Sequence, residues 1–528
     1  MSVGSLEQAL AAFRELLGPA HVSGEQRECD RASAATYHTH ERVQAVIRPD
    51  SREAVQQCVR IAARYQVPLY PVSGGKNWGY GSRVPARDGC VLVDLQRMNR
   101  IVELDEELAY VVVEPGVTQR QLYEYLQDQT GGRLWIDATS SSFECSVVGN
   151  LLERGHGVTM YCDHVSCSAN YEVVLPSGEC LHTGYGAFAN ASARDVDAWG
   201  LGPALQGLFS QSNFGIVTRA TVWLMRAPAC SAVAFFAAAD EAAFAAIVDA
   251  VRPLRLDRIL KSGPFFGNVY QALQKVMTYP WQATGGTTPL PHDVALRLAA
   301  DHRYSAWNGS IGLCGTVEEV ALQKRLLGEA LGGRALWSEI VDPGSTGYER
   351  TFPASRHREV RGVIAGFTGG VGGTGLPAAY WRMGGPPADL RDMDLDRDRC
   401  GFRFLTATTP FRGHEAREVV STAADIMLRH GFEPSIGVFP VRERSLHYHI
   451  ACVYDRAVPG ADDACEACHA ELASALAARG HYPSRLGIGA SMAAMAHCEP
   501  TYADLVAQLR RLLDPHGIMA PGRYDSPR

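Results

Sequence analysis

No apolar run in the 528-residue chain is long enough to cross a bilayer; the longest, such as 232–239, fall well short of the roughly 20 residues that a spanning helix needs. Basic clusters are missing too. With a net charge of −7 and scattered lysines and arginines, the chain carries neither a nucleic-acid footprint nor an acid-seeking surface. Residues 1–18 lack the basic start and unbroken apolar core of a secretory signal, and read instead as an amphipathic helix with acids inside it. The expectation is a cytoplasmic protein with no membrane or nucleic-acid partner. Internal repeats and low-complexity tracts are absent. The 14 cysteines are dispersed, so in a reducing compartment they read as thiols, many of them buried.

What is present is ordinary globular composition, 46% hydrophobic and 20% charged, at a length that suggests two or three domains. The first half alternates helical and strand patterns. Asp50 with Glu53 predicts a helix start, after which Val55, Cys58, Val59 and Ala62 share one face. The run 67–72 reads as a strand whose two prolines confine it to an edge or an end. Strands are predicted at 90–95 and 109–113, with a hairpin near 171–183 around Ser177–Gly178. Thr118 and Gln121 form a capping box for a helix that Gly131 and Gly132 stop. The pattern is α+β and does not repeat as strict βαβ units. Near Arg226 the character changes, to alanine-rich helical sequence over 237–252 and Gly/Pro-rich segments at 280–292 and 366–387. Thr501 then caps a final helix carrying Leu505, Leu509 and Leu512.

The most informative stretch is Ser73-Gly-Gly-Lys-Asn-Trp-Gly-Tyr-Gly-Ser82. Clustered glycines permit positive φ and can turn N–H groups inward around an anion, although a long turn has the same composition. The residue order and the strand that follows exclude a Walker loop and a Rossmann fingerprint. Further blocks recur in order: Val113-Glu-Pro-Gly-Val117, Gly149-Asn-Leu-Leu-Glu-Arg-Gly155, Tyr161-Cys-Asp-His164, Ser210-Gln-Ser-Asn-Phe-Gly-Ile-Val-Thr218 and Asp514-Pro-His-Gly-Ile-Met-Ala-Pro-Gly522. Together they resemble the vanillyl-alcohol oxidase/p-cresol methylhydroxylase family of FAD-linked oxidoreductases, over roughly residues 40–228 and the C-terminal tail.

The resemblance implies a two-subdomain FAD-binding domain of the p-cresol methylhydroxylase type with an inserted α+β substrate, or cap, domain. On that reading 1–226 bind FAD, 227–500 form the cap, and 501–528 return to the FAD domain. Backbone N–H groups of Gly74, Gly75, Lys76 and Asn77 would hold the pyrophosphate; Ser146, Gly149, Asn150, Ile216 and Arg523 would line the cofactor further along. Tyr80, Tyr161 and His449 are the expected catalytic residues. His447-Tyr-His449 lies on an alternating stretch, so both imidazoles should share one strand face. Arg382 is a candidate anchor for an anionic group on flavin or substrate. The implied partners are a small-molecule substrate and molecular oxygen or another electron acceptor, the implied assembly a homodimer. A dehydrogenase with a protein acceptor and a flavin-binding protein without turnover remain alternatives.

Departures from the family shape the chemistry. Gly487-Ile-Gly489 continues Ala490-Ser491-Met492 where the resemblance leads one to expect a phenolate-binding Tyr-Arg pair. Ala138-Thr-Ser-Ser141 stand where an aspartate is expected beside the flavin. A para-alkylphenol is therefore a poor candidate, because a buried phenolate without a cationic donor is costly. Lys76 replaces a flavin-linking histidine, and Gly401 or Phe402 falls at the other linking position, which leaves Cys145 to test; FAD is expected without a covalent link. Cys465-Glu-Ala-Cys-His469 spells a haem-attachment motif but sits in helical sequence without an export signal, so it reads as helix-face thiols. Gly370-Val-Gly-Gly-Thr-Gly375 leads into Leu-Pro and reads as a cap loop. No metal site is expected, since the histidine pair has no third ligand at metal spacing.

Overall fold

The computed structural model describes residues 3–371 and 375–525. Its first layer is a four-stranded sheet in the order Val22–Ser23, Val43–Ile47, Cys90–Asp94, Leu69–Val72. The last three strands run parallel. Helix Arg52–Tyr65 makes one crossover, burying Val55, Cys58, Val59 and Ala62 as its periodicity predicts. Its cap is Ser51, whose hydroxyl accepts from the Ala54 N–H at 3.3 Å, one residue later than expected. The proline-bearing strand takes the sheet edge. That edge is covered by the C-terminal tail: Leu69 donates to the Ile518 carbonyl at 2.7 Å and accepts from Ala520 N–H at 2.8 Å.

A second, antiparallel sheet orders Ile101–Asp105, Tyr110–Val113, Ile216–Trp223, Ser168–Val174 and Cys180–His182, and contains the predicted hairpin. Thr118 caps helix Gln119–Thr130 through the Gln121 N–H at 3.2 Å. The reciprocal half of the box is missing, because Gln121 Nε2 donates to Asn99 O.

From Cys230 to Arg485 the chain builds an eight-stranded antiparallel sheet, ordered Trp337–Val341, Cys230–Ala238, Trp307–Gly315, Phe265–Asn268, Ser435–Arg442, Ser445–Asp455, Cys400–Pro410, Pro483–Arg485. Alanines 237 and 238 end a strand, and the helix begins only at Glu241, capped by Asp240. Helices Glu241–Leu256, Val317–Leu331, Gly413–Arg429 and Ala461–Ala477 contribute to one core with this sheet, where Phe244 stacks on Trp307 at 4.0 Å. Cys465, Cys468 and His469 are buried on the last of these helices. The C-terminal helix Pro500–Leu513 begins after Glu499 with no side-chain cap, so Thr501 lies inside it; Leu505 and Leu512 are exposed. No described helix is long and apolar enough to cross a membrane.

Candidate active site

A cavity of about 410 Å³ lies between the glycine loop and the cap sheet. Its two walls are built differently. On one wall, the loop that follows Val72 is fixed at its far end: Gly79 N–H donates to Thr36 Oγ1 at 3.0 Å, and Tyr80 and Ser82 N–H both donate to Asn77 O at 3.0 Å. Gly79 has φ +81°, and a Cβ there would meet the Phe404 ring at 2.6 Å. The near end differs. Among the described residues, the N–H groups of Gly74, Gly75, Lys76 and Asn77 have no protein acceptor, although all four residues line the cavity. Gly75 is buried and the other three are partly buried; successive backbone donors left without a protein acceptor beside one cavity can make a place for an anion.

Ser146, Gly149, Asn150 and Ile216 line the same wall. Ser146 Oγ caps helix Val147–Leu152 by accepting from Gly149 N–H at 2.9 Å while donating to Pro115 O at 2.6 Å. Gly149 packs against Ser73, which a Cβ would approach to 3.1 Å. Asn150 Oδ1 meets His164 Nδ1 at 2.6 Å, and His164 Nε2 meets Asp137 at 2.8 Å. Burial would raise the Asp137 carboxyl, but the His164 and Thr159 hydrogen bonds hold it below the ordinary carboxylate value. These residues fit a dinucleotide cofactor bearing a pyrophosphate.

The cap wall is made of side chains. Strand Ser445–Asp455 alternates as predicted: Leu446, Tyr448 and Ile450 face the helices, while His447 and His449 face the cavity. His449 is surrounded by rings, with Phe439 at 4.8 Å, Phe404 at 4.9 Å and His156 at 5.3 Å between centroids. Burial, with the neighbouring His156, His447 and Arg485 charges, pushes its imidazole well below the usual range. Burial likewise lowers His447 to about 4 and His156 to about 3. All three are neutral near pH 7. Tyr80 lies under the Arg485 guanidinium at 4.5 Å, and burial pushes its phenol to about 12.

Several expected residues fall elsewhere. Tyr161 does not line the cavity; it is half-buried near Thr159. Arg523 is buried behind the wall, donating to Leu486 O at 3.1 Å and pairing with Glu153 at 2.8 Å. It therefore acts through Glu153, which does line the cavity. Arg382 is consumed by Glu433 at 3.0 Å and the Gly431 carbonyl at 2.7 Å, so it anchors the cap rather than a ligand. Lys76 carries its amine to Asp394 at 3.7 Å, leaving its backbone for the cavity. Ala138 and Cys145 line the cavity; burial raises the Cys145 thiol to about 11. Met492 does not line it, the side chains of Ala490 and Ser491 lie outside the described residues, and so do residues 372–374 of the Gly370–Gly375 stretch. Sequence reasoning missed Arg485, Glu153, His156 and Lys275, all of them lining residues. Glu153 stands inside a quoted block; the others carry no local signal.

Comparison with known proteins follows the same division. Residues 43–184 match the family model described as an FAD binding domain. The 1'-carboxy-chondrochloren decarboxylase of Chondromyces crocatus is 40% identical over 99% of this chain and 98% of its own length. The 4-cresol dehydrogenase [hydroxylating] flavoprotein subunit of Pseudomonas putida is 28% identical over 98% of this chain and 95% of its own. Substrate-bound p-cresol methylhydroxylase superposes with a TM-score of 0.91 at 26% identity, covering 100% of this chain and 98% of that one. For 4-ethylphenol oxidase from Gulosibacter chungangensis the TM-score is 0.89 at 27% identity, covering 99% and 98%. With unpartnered loop amides, a glycine-tight cofactor wall and full-length relatives in agreement, the chain belongs to the vanillyl-alcohol oxidase/p-cresol methylhydroxylase family and is an FAD-dependent enzyme.

Proposed function

We propose that this enzyme oxidises a small organic substrate at a C–H bond next to OH, NH or a conjugated system, with molecular oxygen as the final acceptor. The observation that supports this reading is His449, a neutral imidazole set among aromatic rings in the cavity. Bound along the glycine-loop wall, FAD supplies the two-electron acceptor for a hydride. The chain supplies the rest. Phe404 and Phe439 hold a flat apolar substrate and exclude water, and Tyr80 offers a neutral O–H to it. His449 accepts the proton that must leave when the donor is an alcohol or amine; burial makes its imidazole a weak base, which suffices because hydride departure makes that proton strongly acidic.

A second reading has its own support in the Chondromyces crocatus relative, which is named a decarboxylase. If the substrate carries a carboxylate on the carbon adjacent to the one losing hydride, the C–COO⁻ bond can break. Its electron pair then forms the new C=C, and CO₂ leaves. That outcome needs no proton acceptor. Anaerobic mixing with a panel of benzylic and allylic alcohols, amines and arylalkyl carboxylates separates these possibilities. His449→Ala should keep FAD and slow bleaching by an alcohol or amine roughly 10²–10⁴-fold. Bleaching by a carboxylate with CO₂ release and little dependence on His449 would favour the second reading. Vanillyl alcohol and 4-alkylphenols should bleach slowly. Failure of every donor would mean a flavin-binding protein without turnover, whereas bleaching followed by slow reoxidation in air would mean a dehydrogenase.

A further inference from the structure

The cap wall holds a cation that the site described so far does not use. Lys275 lies two residues beyond helix Val269–Leu273 and lines the cavity, its Nζ 4.7 Å above the Phe265 ring. Among the described residues its amine has no ion pair and no hydrogen bond. Burial pushes its pKa down; the acid whose field reaches it, Glu359, is itself paired with Arg356 at 3.3 Å. Two other cations lining the cavity are engaged: Arg485 lies 3.7 Å from Glu153 and donates to Asn77 Oδ1, and Lys76 faces Asp394; Arg154 lines it from an exposed position beside Glu153. One turn back along the chain, Gln271 also lines the cavity, and its buried Oε1 has no partner. With Oε1 turned inward, Nε2 is the end of the amide left to donate into the cavity. A partly buried ammonium with no counter-ion, on a wall otherwise lined by aromatic rings, is a ready partner for an anionic ligand.

The position of this pair sets the shape of the ligand. From Tyr80 the rings of Phe404, His449, Phe439 and Phe265 follow one another at 5.5, 4.9, 4.8 and 6.3 Å between centroids, and Lys275 covers the last. Phe265 lies parallel to Phe439 within 12°. The unpartnered loop amides are on the other wall, so Lys275 is separated from the pyrophosphate end by the substrate's own space.

We propose that Lys275, with Gln271, is the recognition site for a carboxylate on the substrate, so that the enzyme takes an aromatic or conjugated carboxylic acid whose apolar body lies along the ring series. This inference rests on the proposed oxidation of a small substrate in the same cavity, and is tested by binding rather than by turnover. Calorimetry on the FAD-loaded enzyme would compare trans-cinnamate with its neutral isostere cinnamamide. Wild-type protein should bind cinnamate about tenfold or more tighter. Lys275→Met should erase that preference while retaining cinnamamide affinity and full flavin content, and should melt above the wild type because an unpaired cation is gone. Carbamylation of Lys275 by cyanate, mapped by mass spectrometry in unsubstituted enzyme, should be slowed by cinnamate and not by cinnamamide. Equal binding of the two compounds, no binding of either at millimolar concentration, or unaltered carbamylation would overturn the assignment. Loss of flavin from Lys275→Met would overturn it as well, by making the lysine a cofactor anchor. A carboxylate preference in an enzyme whose flavin never bleaches would leave this site standing and remove only the oxidation.

Discussion

The two walls of the cavity solve different problems. The cofactor wall presents backbone: four N–H groups without protein acceptors, glycines pressed against Ser73 and Phe404, and a helix capped by Ser146. The cap wall presents side chains: neutral histidines, phenylalanines and one lysine without an acid partner. A backbone surface of this kind would recognise what is common to every FAD, the pyrophosphate, and tolerates little change where its geometry depends on glycines such as Gly79 and Gly149. A side-chain surface can be rewritten one position at a time. The comparison teaches that cofactor use is written into the spacing of the chain, whereas substrate choice is written into contacts between distant segments.

The sharpest way to break this distinction is at Gly79. Alanine there would need φ near +81° and would drive its methyl to 2.6 Å from the Phe404 ring. Strain of about 1–3 kcal/mol falls on the loop itself, so the four amides lose their alignment. Gly79→Ala should purify largely without yellow colour, with flavin absorbance per chain reduced about tenfold or more. In the unsubstituted protein the flavin should leave on acid precipitation, as the protonated Cys145 thiol and the engaged Lys76 amine suggest. A Gly79→Ala protein with full flavin and an unchanged melting temperature would show that the loop is not what holds the cofactor.

A middle-sized effect concerns acid. Burial lowers His449 well below its ordinary value, His447 to about 4, and His156 and His469 to about 3. Unfolded histidines titrate near 6.5. As pH falls through that value the unfolded chain takes up protons that the folded chain refuses, so stability is complete above it and is lost progressively below it. Each such group contributes up to about 1.4 kcal/mol per pH unit. Three of the four belong to the cap. The urea midpoint should therefore fall steeply between pH 6.5 and about 4, and His447→Gln should flatten the slope. A midpoint constant from pH 7 to 5 would mean that these imidazoles are not buried as neutral groups.

The same division explains what could be read in the chain beforehand. Periodicity put Val55, Cys58, Val59 and Ala62 on the buried face of helix Arg52–Tyr65 and both histidines of His447-Tyr-His449 on one strand face, because each pattern needs only near neighbours. Prolines put strand Leu69–Val72 at an edge because a missing N–H is a local property. Capping was less legible: Ser51 rather than Asp50 caps its helix, since two adjacent residues could both serve. The cap sheet pairs strands that are far apart in sequence, such as Cys230–Ala238 with Trp337–Val341, and no local pattern announces such pairing. In the sequence Arg382 stands out as a candidate anchor and Lys275 does not. Only the fold shows that Glu433 takes one and leaves the other facing a cavity.

The smallest expected effect tests where the substrate's space ends. Tyr80 and Tyr161 are equivalent on family resemblance, yet the fold separates them. Tyr80 is buried at the cavity under Arg485, 5.5 Å from the Phe404 ring. Tyr161 is half-buried outside the lining, and its backbone N–H reaches Thr159 Oγ1 at 3.4 Å. A phenol that touches neither substrate nor cofactor has nothing to contribute to bleaching. Tyr161→Phe should hold the reductive rate within about twofold and stability within about 0.5 kcal/mol, the range of ordinary substitutions away from buried networks. Tyr80→Phe, measured beside it with the same donor, removes a hydroxyl from the substrate's space and should slow bleaching by about tenfold, roughly one lost hydrogen bond. Equal losses in the two variants would place Tyr161 at the reacting centre and move the boundary of the cavity outward. Equal indifference would leave His449 as the proton-handling group for that space.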